Sequence, residues 1–272
     1  MPAYLEPSNT FMISRAKRSA SHSARHLRTV YIVLPVFNEE PTLAKLFHRI
    51  DAVMLETQLA YRVIVVDDGS TDNSLAVAKE FSKRMPLTIK PHPVNKGLGA
   101  TIRDGLMEAS QLASDDDIII TMDADDTHSP GLIVRMVEMV REGFDVVIAS
   151  RFQPNARIIG VPLHRRILSR AGSLLFRLLL PIPGVKDFTC GYRAYHAQSV
   201  KLALQKYGKD FFTRDGFECM VDILLKLRTM RLIFGEVPII LRYDHKEGQT
   251  KMNVSATIRN TLVLLVKRRI GV

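Results

Sequence analysis

An apolar run, Asp117 to Thr121, leads through Met122 straight into Asp123-Ala124-Asp125-Asp126, with Ser129-Pro130 close behind. Two carboxylates at i and i+2, just beyond a buried strand, can grip one hard divalent cation and leave coordination positions open for the oxygens of a diphosphate. That is the chemistry needed to hold a nucleoside-diphosphate sugar. The same residues also read as an acidic turn before a helix, because Ser129-Pro130 makes a good N-cap and first helical residue. The neighbouring elements decide how much weight each reading carries.

Tyr31 to Leu34 and Arg62 to Val66 are short β-branched runs, each followed by a polar turn and a helical apolar period. Leu87 to Lys90 is a weaker run, and Ile118 to Thr121 and Asp145 to Ala149 follow helical segments around Thr101 to Leu112 and Leu132 to Arg141. This alternation predicts a doubly wound α/β domain with a mostly parallel central sheet flanked by helices. Ligands of such sheets sit beyond the carboxyl ends of the strands. Those ends read Pro35-Val36-Phe37-Asn38-Glu39-Glu40, Asp67-Asp68-Gly69-Ser70-Thr71-Asp72, Asp123-Ala124-Asp125 and Ser150-Arg151-Phe152. No G-x-G-x-x-G opens a helix after the first strand and no G-x-x-x-x-G-K-[ST] occurs, which sets aside dehydrogenases and P-loop enzymes.

The four blocks resemble the family 2 glycosyltransferases of the GT-A fold. The match continues through Asn95-Lys96-Gly97-Leu98-Gly99, Asp187-Phe188-Thr189-Cys190-Gly191-Tyr192-Arg193, Gly235-Glu236-Val237-Pro238-Ile239 and Gly248-Gln249-Thr250-Lys251. In that order the blocks resemble the dolichol-phosphate mannose synthase branch. The resemblance implies a GT-A domain over residues 29–256, after a basic tail of residues 1–28 and before a C-terminal amphipathic helix at 257–272. It further implies that Pro35, Phe37, Glu39 and Val66 line a nucleotide pocket together with Asp68. That aspartate, at a strand end, is placed to accept hydrogen bonds from a base or ribose. Asp123 and Asp125, with Ala124 between them, are expected to hold Mg2+ or Mn2+ against the donor diphosphate. The family often has Gln two residues beyond the second aspartate; Thr127 stands there and Asp126 adds a carboxylate, which leaves the third protein ligand open.

Arg151, at the mouth of a strand, suits a bidentate phosphate contact. By resemblance Arg193 and Lys251 are further phosphate contacts; the family usually has an arginine at a register where this chain has Asp244 or His245, so Arg242 or Lys246 is expected to take its place in the nucleotide-sugar site. Asp125, Arg151 and Lys251 are the expected catalytic residues.

The chain has 272 residues, is 46% hydrophobic and carries a formal charge of +10, which suits anionic partners: phosphorylated small molecules, an anionic membrane or nucleic acid. Its two cysteines, Cys190 and Cys219, show no metal spacing and point to a reducing compartment. No stretch of about 18 uninterrupted apolar residues is present to span a bilayer. Leu163 to Leu180, however, reads as an amphipathic helix: Arg166, Arg170 and Arg177 share one stripe, and Ile167, Ala171, Leu174 and Leu178 another. Such a helix can lie in a membrane interface with its guanidinium groups at headgroup level, or pack on its own domain. Arg166 and Arg170, with Arg193, are the expected acceptor-phosphate contacts. The tail, carrying Arg15, Lys17, Arg18, Arg25 and Arg28, is expected to be flexible. The C-terminal helix could bind a membrane, dock a membrane-spanning partner or join the core.

The expected activity is inverting transfer of a sugar, with mannose from GDP-mannose first in line, to a polyprenyl monophosphate on the cytoplasmic face of a membrane. Such an acceptor is already an anion and attacks without a general base. A rival uses a UDP-sugar such as UDP-glucose, or a hydroxyl acceptor, for which Glu218 and Asp222, four apart on one helical face, are the candidate bases. The absence of tryptophan removes the Q-x-x-R-W block of processive members. A basic membrane adaptor without catalysis leaves Asp123 and Asp125 unexplained. A nucleic-acid partner is not expected, since no stacking aromatics cluster beside the basic residues.

Overall fold

A computed structural model describes residues 28–245. The expected tail up to residue 27, Lys246, Lys251 and the C-terminal helix at 257–272 lie outside the described residues.

Among the described residues, nine strands and seven α-helices follow one another, largely in alternation. The first half contains β1 (Val30–Val36), α1 (Glu40–Thr57), β2 (Tyr61–Asp67), α2 (Ser74–Phe81), β3 (Leu87–Pro91), α3 (Leu98–Leu112), β4 (Ile118–Thr121), α4 (Leu132–Arg141) and β5 (Val146–Ser150). The second half contains β6 (Arg157–Ile159), α5 (Leu163–Leu179), β7 (Arg193–His196), α6 (Ala197–Tyr207), α7 (Cys219–Arg228), β8 (Phe234–Pro238) and β9 (Ile240–Arg242). The main sheet has the order β3-β2-β1-β4-β7-β5-β8, while β6 and β9 pair separately.

The β-branched runs become strands because both faces of the sheet are covered: Val30 to Leu34, Val63 to Val66, Ile118 to Ile120 and Val146 to Ala149 are all buried. Helices supply the covering layers through faces at 3.6-residue spacing, such as Leu43, Leu46, Phe47, Ile50 and Met54 of α1. Burying each such side chain contributes about 1.5–3 kcal/mol. Where α3 crosses β1, a Cβ on Gly105 would stand 2.3 Å from Cγ1 of Val33, so the helix approaches the sheet as closely as it does only because residue 105 has no side chain.

All five expected strands form. The sheet departs from a uniform parallel array at β7, which pairs antiparallel with β4 (Thr121 opposite Arg193) and with β5 (Ile148 opposite Arg193). Its sequence, RAYH, has no β-branched residue. It is a strand because two neighbours offer it ladders on both sides, a tertiary cause invisible in local propensity. The reversal has a functional consequence. β1, β2, β4 and β5 end at one edge of the sheet, and β7 begins there, so the residues preceding β7 arrive beside the acidic turn after β4.

Candidate active site

The loops after β1 and β2 are laced together. The Asn38 amide donates to Ser70 Oγ at 3.0 Å, the Thr71 amide donates to Asn38 Oδ1 at 2.7 Å, and the Glu39 amide donates to Ser74 Oγ at 2.8 Å. Glu40 accepts from Asn73 Nδ2 at 2.8 Å. Asn38 sits at φ 52°, a left-handed conformation that asparagine tolerates. Pro35, Phe37 and Glu39 stand half-buried at this rim, above the buried Val66.

Asp68 is buried, and its carboxylate accepts from the Lys96 and Gly97 amides, each at 2.9 Å, and meets His92 Nδ1 at 2.7 Å. His92 Nε2 lies 2.9 Å from Asp104 Oδ2. Asp68 therefore fastens the Asn95-Lys96-Gly97 turn to the end of β2, so part of the carboxylate expected to meet a base or ribose is already engaged within the protein.

The turn after β4 builds the acidic pair. Asp125 is buried, and its Oδ1 accepts from the Thr127 amide at 3.2 Å and the Thr127 hydroxyl at 2.7 Å. Thr127, at the position where the family often has Gln, thus orients a carboxylate. Asp123 is 46% exposed at its side chain. Asp126 adopts φ 57° and points the opposite way, pairing with Lys45 at 2.9 Å and with Arg49, both on α1. The extra carboxylate is an anchor for the turn. Thr42 Oγ1 donates to the Ala124 carbonyl at 3.3 Å from the same helix.

Among the described residues, no group of three or more His, Cys, Asp or Glu is placed to hold a metal. The donor set of two hard carboxylate oxygens nonetheless fits a divalent cation such as Mg2+, which commonly takes one or two protein carboxylates and completes its shell with water and substrate phosphates. Asp123 and Asp125 would hold it.

The arginines fall into two classes. Arg151 is committed to Asp187: Nε donates at 2.8 Å to Oδ2 and Nη2 at 2.6 Å to Oδ1, with Thr189 Oγ1 also on Nη2. Asp187 is fully buried, and its own amide and that of Lys186 donate to Glu236 Oε1 at 2.6 Å. Burial alone would lower the Arg151 pKa, but the Asp187 carboxylate more than offsets this and holds it above its ordinary value. Burial pushes the Asp187 carboxyl up, and Arg151 pulls it down further, to a net position below the usual carboxylate range. The fork expected to meet a phosphate thus gives Nε and Nη2 to internal partners, while its side chain stays 21% exposed.

Arg193 is a plainer correction. It is fully buried, and its guanidinium donates to the carbonyls of Cys190 at 2.8 Å, Met220 at 2.7 Å and Phe188 at 2.8 Å. It folds the loop that precedes β7 and meets no acceptor phosphate. Arg242 forms an exposed pair with Asp244, Nη2 to Oδ2 at 2.7 Å, which raises its pKa. Its amide donates to the Thr127 carbonyl at 3.1 Å, so it does adjoin the acidic turn. Arg170 is exposed on α5 and Arg166 half-buried; Nε of Arg166 is enclosed with no hydrogen-bond partner among the described residues.

Of the two candidate bases, Asp222 is buried and paired with Lys226, and accepts from Thr213 Oγ1 at 2.7 Å. Glu218 is buried at the start of α7. Cys190 and Cys219 are free and buried, and burial pushes each thiol up to about 12, which removes them as nucleophiles.

A mostly parallel sheet with an acidic pair at its carboxyl edge and lacing loops beside it is the architecture of the GT-A glycosyltransferases. The model of Glycosyl transferase family 2 matches residues 31–202, and the chain belongs to that family. It is 30% identical over 210 residues to a dolichol-phosphate mannosyltransferase of Pyrococcus furiosus, covering 77% of this chain and 55% of that one, so it spans little more than half of that relative. It is 31% identical over 225 residues to an undecaprenyl-phosphate mannosyltransferase of Micrococcus luteus, covering 82% and 87%. Identity to a polyprenol monophosphomannose synthase of Mycolicibacterium smegmatis is 28% over 235 residues, covering 86% and 84%. In fold it resembles glucosyl-3-phosphoglycerate synthase of Mycobacterium tuberculosis, solved with Mn2+, UDP and glucosyl-3-phosphoglycerate: the TM-score is 0.65 at 20% identity, covering 99% of this chain and 87% of that one.

Proposed function

We propose that this chain transfers mannose from GDP-mannose to a polyprenyl monophosphate at the cytoplasmic face of a membrane, with inversion and with Mg2+ or Mn2+ as cofactor. The observation that carries the reading is the Asp123 and Asp125 turn at the carboxyl edge of the sheet, in a chain whose relatives named above share a polyprenyl-phosphate acceptor and mannose transfer. Asp125, its rotamer set by Thr127, and the more exposed Asp123 would hold the cation, which when bound would supply charge stabilisation to the departing nucleoside diphosphate.

The loops carrying Pro35, Phe37 and Glu39 form one wall of the nucleotide pocket. Arg242, tied by its amide to Thr127, supplies a cation beside the diphosphate; its partner Asp244 is exposed, and an exposed pair of this kind is weak enough to yield to a phosphate. Lys251 is proposed for the same phosphates. The enclosed Nε of Arg166, with the exposed Arg170 one turn away, supports these two as acceptor-phosphate contacts. The burial of Asp222 against Lys226 speaks against its service as a base for a hydroxyl acceptor and favours an acceptor that arrives already ionised.

Supply of radiolabelled GDP- and UDP-sugars with Mn2+ and polyprenyl phosphate tests this directly. Labelled, acid-labile lipid from GDP-mannose is the expected product. Lipid product from a UDP-sugar alone would replace the donor; nucleotide release with a sugar acceptor and no lipid product would overturn the acceptor.

A further inference from the structure

Beside the acidic pair lies a histidine that neither the spacing of the motif nor the family resemblance singles out. We propose that His128 is the positioning residue for Asp123: its ring presents an N–H to the Asp123 carboxylate and holds that carboxylate ready for a divalent cation. The inference rests on the metal-dependent reading above and adds to it a residue that the cation does not touch.

His128 is 3% exposed, yet it sits five residues from a carboxylate that is half in solvent. Its Nδ1 accepts from the Asp123 amide at 3.2 Å. A neutral imidazole has one nitrogen that accepts and one that donates, so acceptance at Nδ1 places the proton on Nε2. Nε2 stands 3.7 Å from Asp123 Oδ2. A protonated nitrogen cannot ligate a cation, which rules out His128 as the missing third ligand. That N–H instead stands toward a carboxylate oxygen, an electrostatic contact across 3.7 Å that favours the ionised Asp123 in this orientation.

The ring itself is held from outside the turn. Tyr192 stacks on it with centroids 5.0 Å apart and planes at 23°, and the Tyr192 hydroxyl donates to the Ser129 carbonyl at 3.0 Å, one residue beyond the histidine. Tyr192 comes from the block that precedes β7. The same block brings Gly191, whose carbonyl accepts from Thr121 Oγ1 at 2.6 Å and whose missing Cβ would stand 3.4 Å from Asp123 Oδ1. The reversed strand thus delivers a platform for the ring and an open flank for the carboxylate together. Fixing an exposed carboxylate before the cation arrives lowers the ordering cost of binding, and loss of such supporting contacts commonly weakens metal affinity by about 10–100-fold.

The test is Mn2+ affinity of the full chain without nucleotide, measured by electron paramagnetic resonance, for wild type and His128→Asn. Asparagine keeps an acceptor near the place of Nδ1 for the Asp123 amide but has nothing at the place of Nε2. The expected result is a melting temperature close to wild type with Mn2+ bound about tenfold or more weakly. Equal Mn2+ affinity and an unchanged spectrum would show the ring to be structural and overturn the inference while leaving the metal-dependent reading intact. A wild-type chain that binds no Mn2+ even when a nucleoside diphosphate is added would overturn both. Should His128→Asn fail to fold, the 15N spectrum of histidine-labelled wild type decides: an Nε2–H tautomer whose signals move on Mg2+ addition is expected, and an Nδ1–H tautomer would overturn the assignment.

Discussion

Asp187 shows how a residue in a recognisable motif can act through its neighbour. It is fully buried, takes both edges of the Arg151 fork, and receives amides from its own loop. Its folded pKa lies below the ordinary carboxylate value, so its contribution to stability is complete above that value and is lost as the pH falls through the carboxylate range toward the folded pKa. Asp187→Asn should therefore lose about 3–5 kcal/mol at neutral pH, because it leaves Arg151 enclosed without its counter-charge. Its urea midpoint should fall less on acidification than that of wild type, and parallel slopes for the two proteins would refute this account. Asp125→Asn makes the opposite kind of prediction. The amide oxygen can still accept from Thr127, so the melting temperature should hold, while transfer at saturating donor should fall about 100-fold or more for want of a carboxylate on the cation. Retained transfer in the presence of excess chelator would end the metal reading.

At the scale of elements, periodicity located the strands that lead into the nucleotide loops and the acidic turn, because burial on both faces writes itself into β-branched runs such as Ile118 to Ile120, though it did not locate β7 and β9, which carry Arg193 and Arg242. The acidic turn was legible for the same reason: a strand end and a carboxylate pair are both local. What local pattern could not show was partnership. β7 has the sequence of no particular strand, and its insertion between β4 and β5 decides that Arg193 turns inward while Tyr192 reaches His128. Asp126 is a further case. Spacing alone left its part in the metal site open, whereas the structure pairs its side chain, on a left-handed backbone, with Lys45 and Arg49 on α1. Asp126→Asn, tolerant of that backbone, should destabilise the protein by about 1–2 kcal/mol through the lost charge, and Asp126→Ala by about 1 kcal/mol or more beyond that through added backbone strain. Thermal or urea unfolding of the two variants checks the order, and equal losses would show that the backbone conformation costs nothing.

The whole molecule is asymmetric in charge and in apolar exposure at the same place. No acidic residue occurs between Asp145 and Asp187, while Arg157, Arg165, Arg166, Arg170, Arg177 and Lys186 all fall there. Within that stretch α5 packs inward through Phe176, stacked on Phe188 with centroids 5.1 Å apart, and Ser173, whose hydroxyl donates to the Lys186 carbonyl. Its other face leaves Leu163 66%, Ile167 57%, Leu174 52% and Leu178 71% exposed, and Ile159 and Ile240 of the small sheet are exposed as well. No helix among the described residues is long and apolar enough to cross a membrane. An exposed apolar face edged by arginines fits an anionic lipid surface, where each CH2 that enters the acyl boundary adds about 0.8 kcal/mol and each arginine near the headgroups about 1 kcal/mol. Leu174→Glu combined with Leu178→Glu places two charges on that face without touching the core. The double variant should keep the melting temperature of wild type and its transfer to a short, water-soluble prenyl phosphate, yet lose most of its cosedimentation with anionic vesicles. Arg170→Gln with Arg177→Gln should instead weaken binding most at low salt and leave a shallower dependence on added salt, since the screened, electrostatic part of the attraction is what is lost. Unchanged cosedimentation of the leucine variant would place the membrane contact elsewhere on the chain. A loss of soluble-acceptor turnover in step with vesicle binding would show that α5 shapes the acceptor site itself.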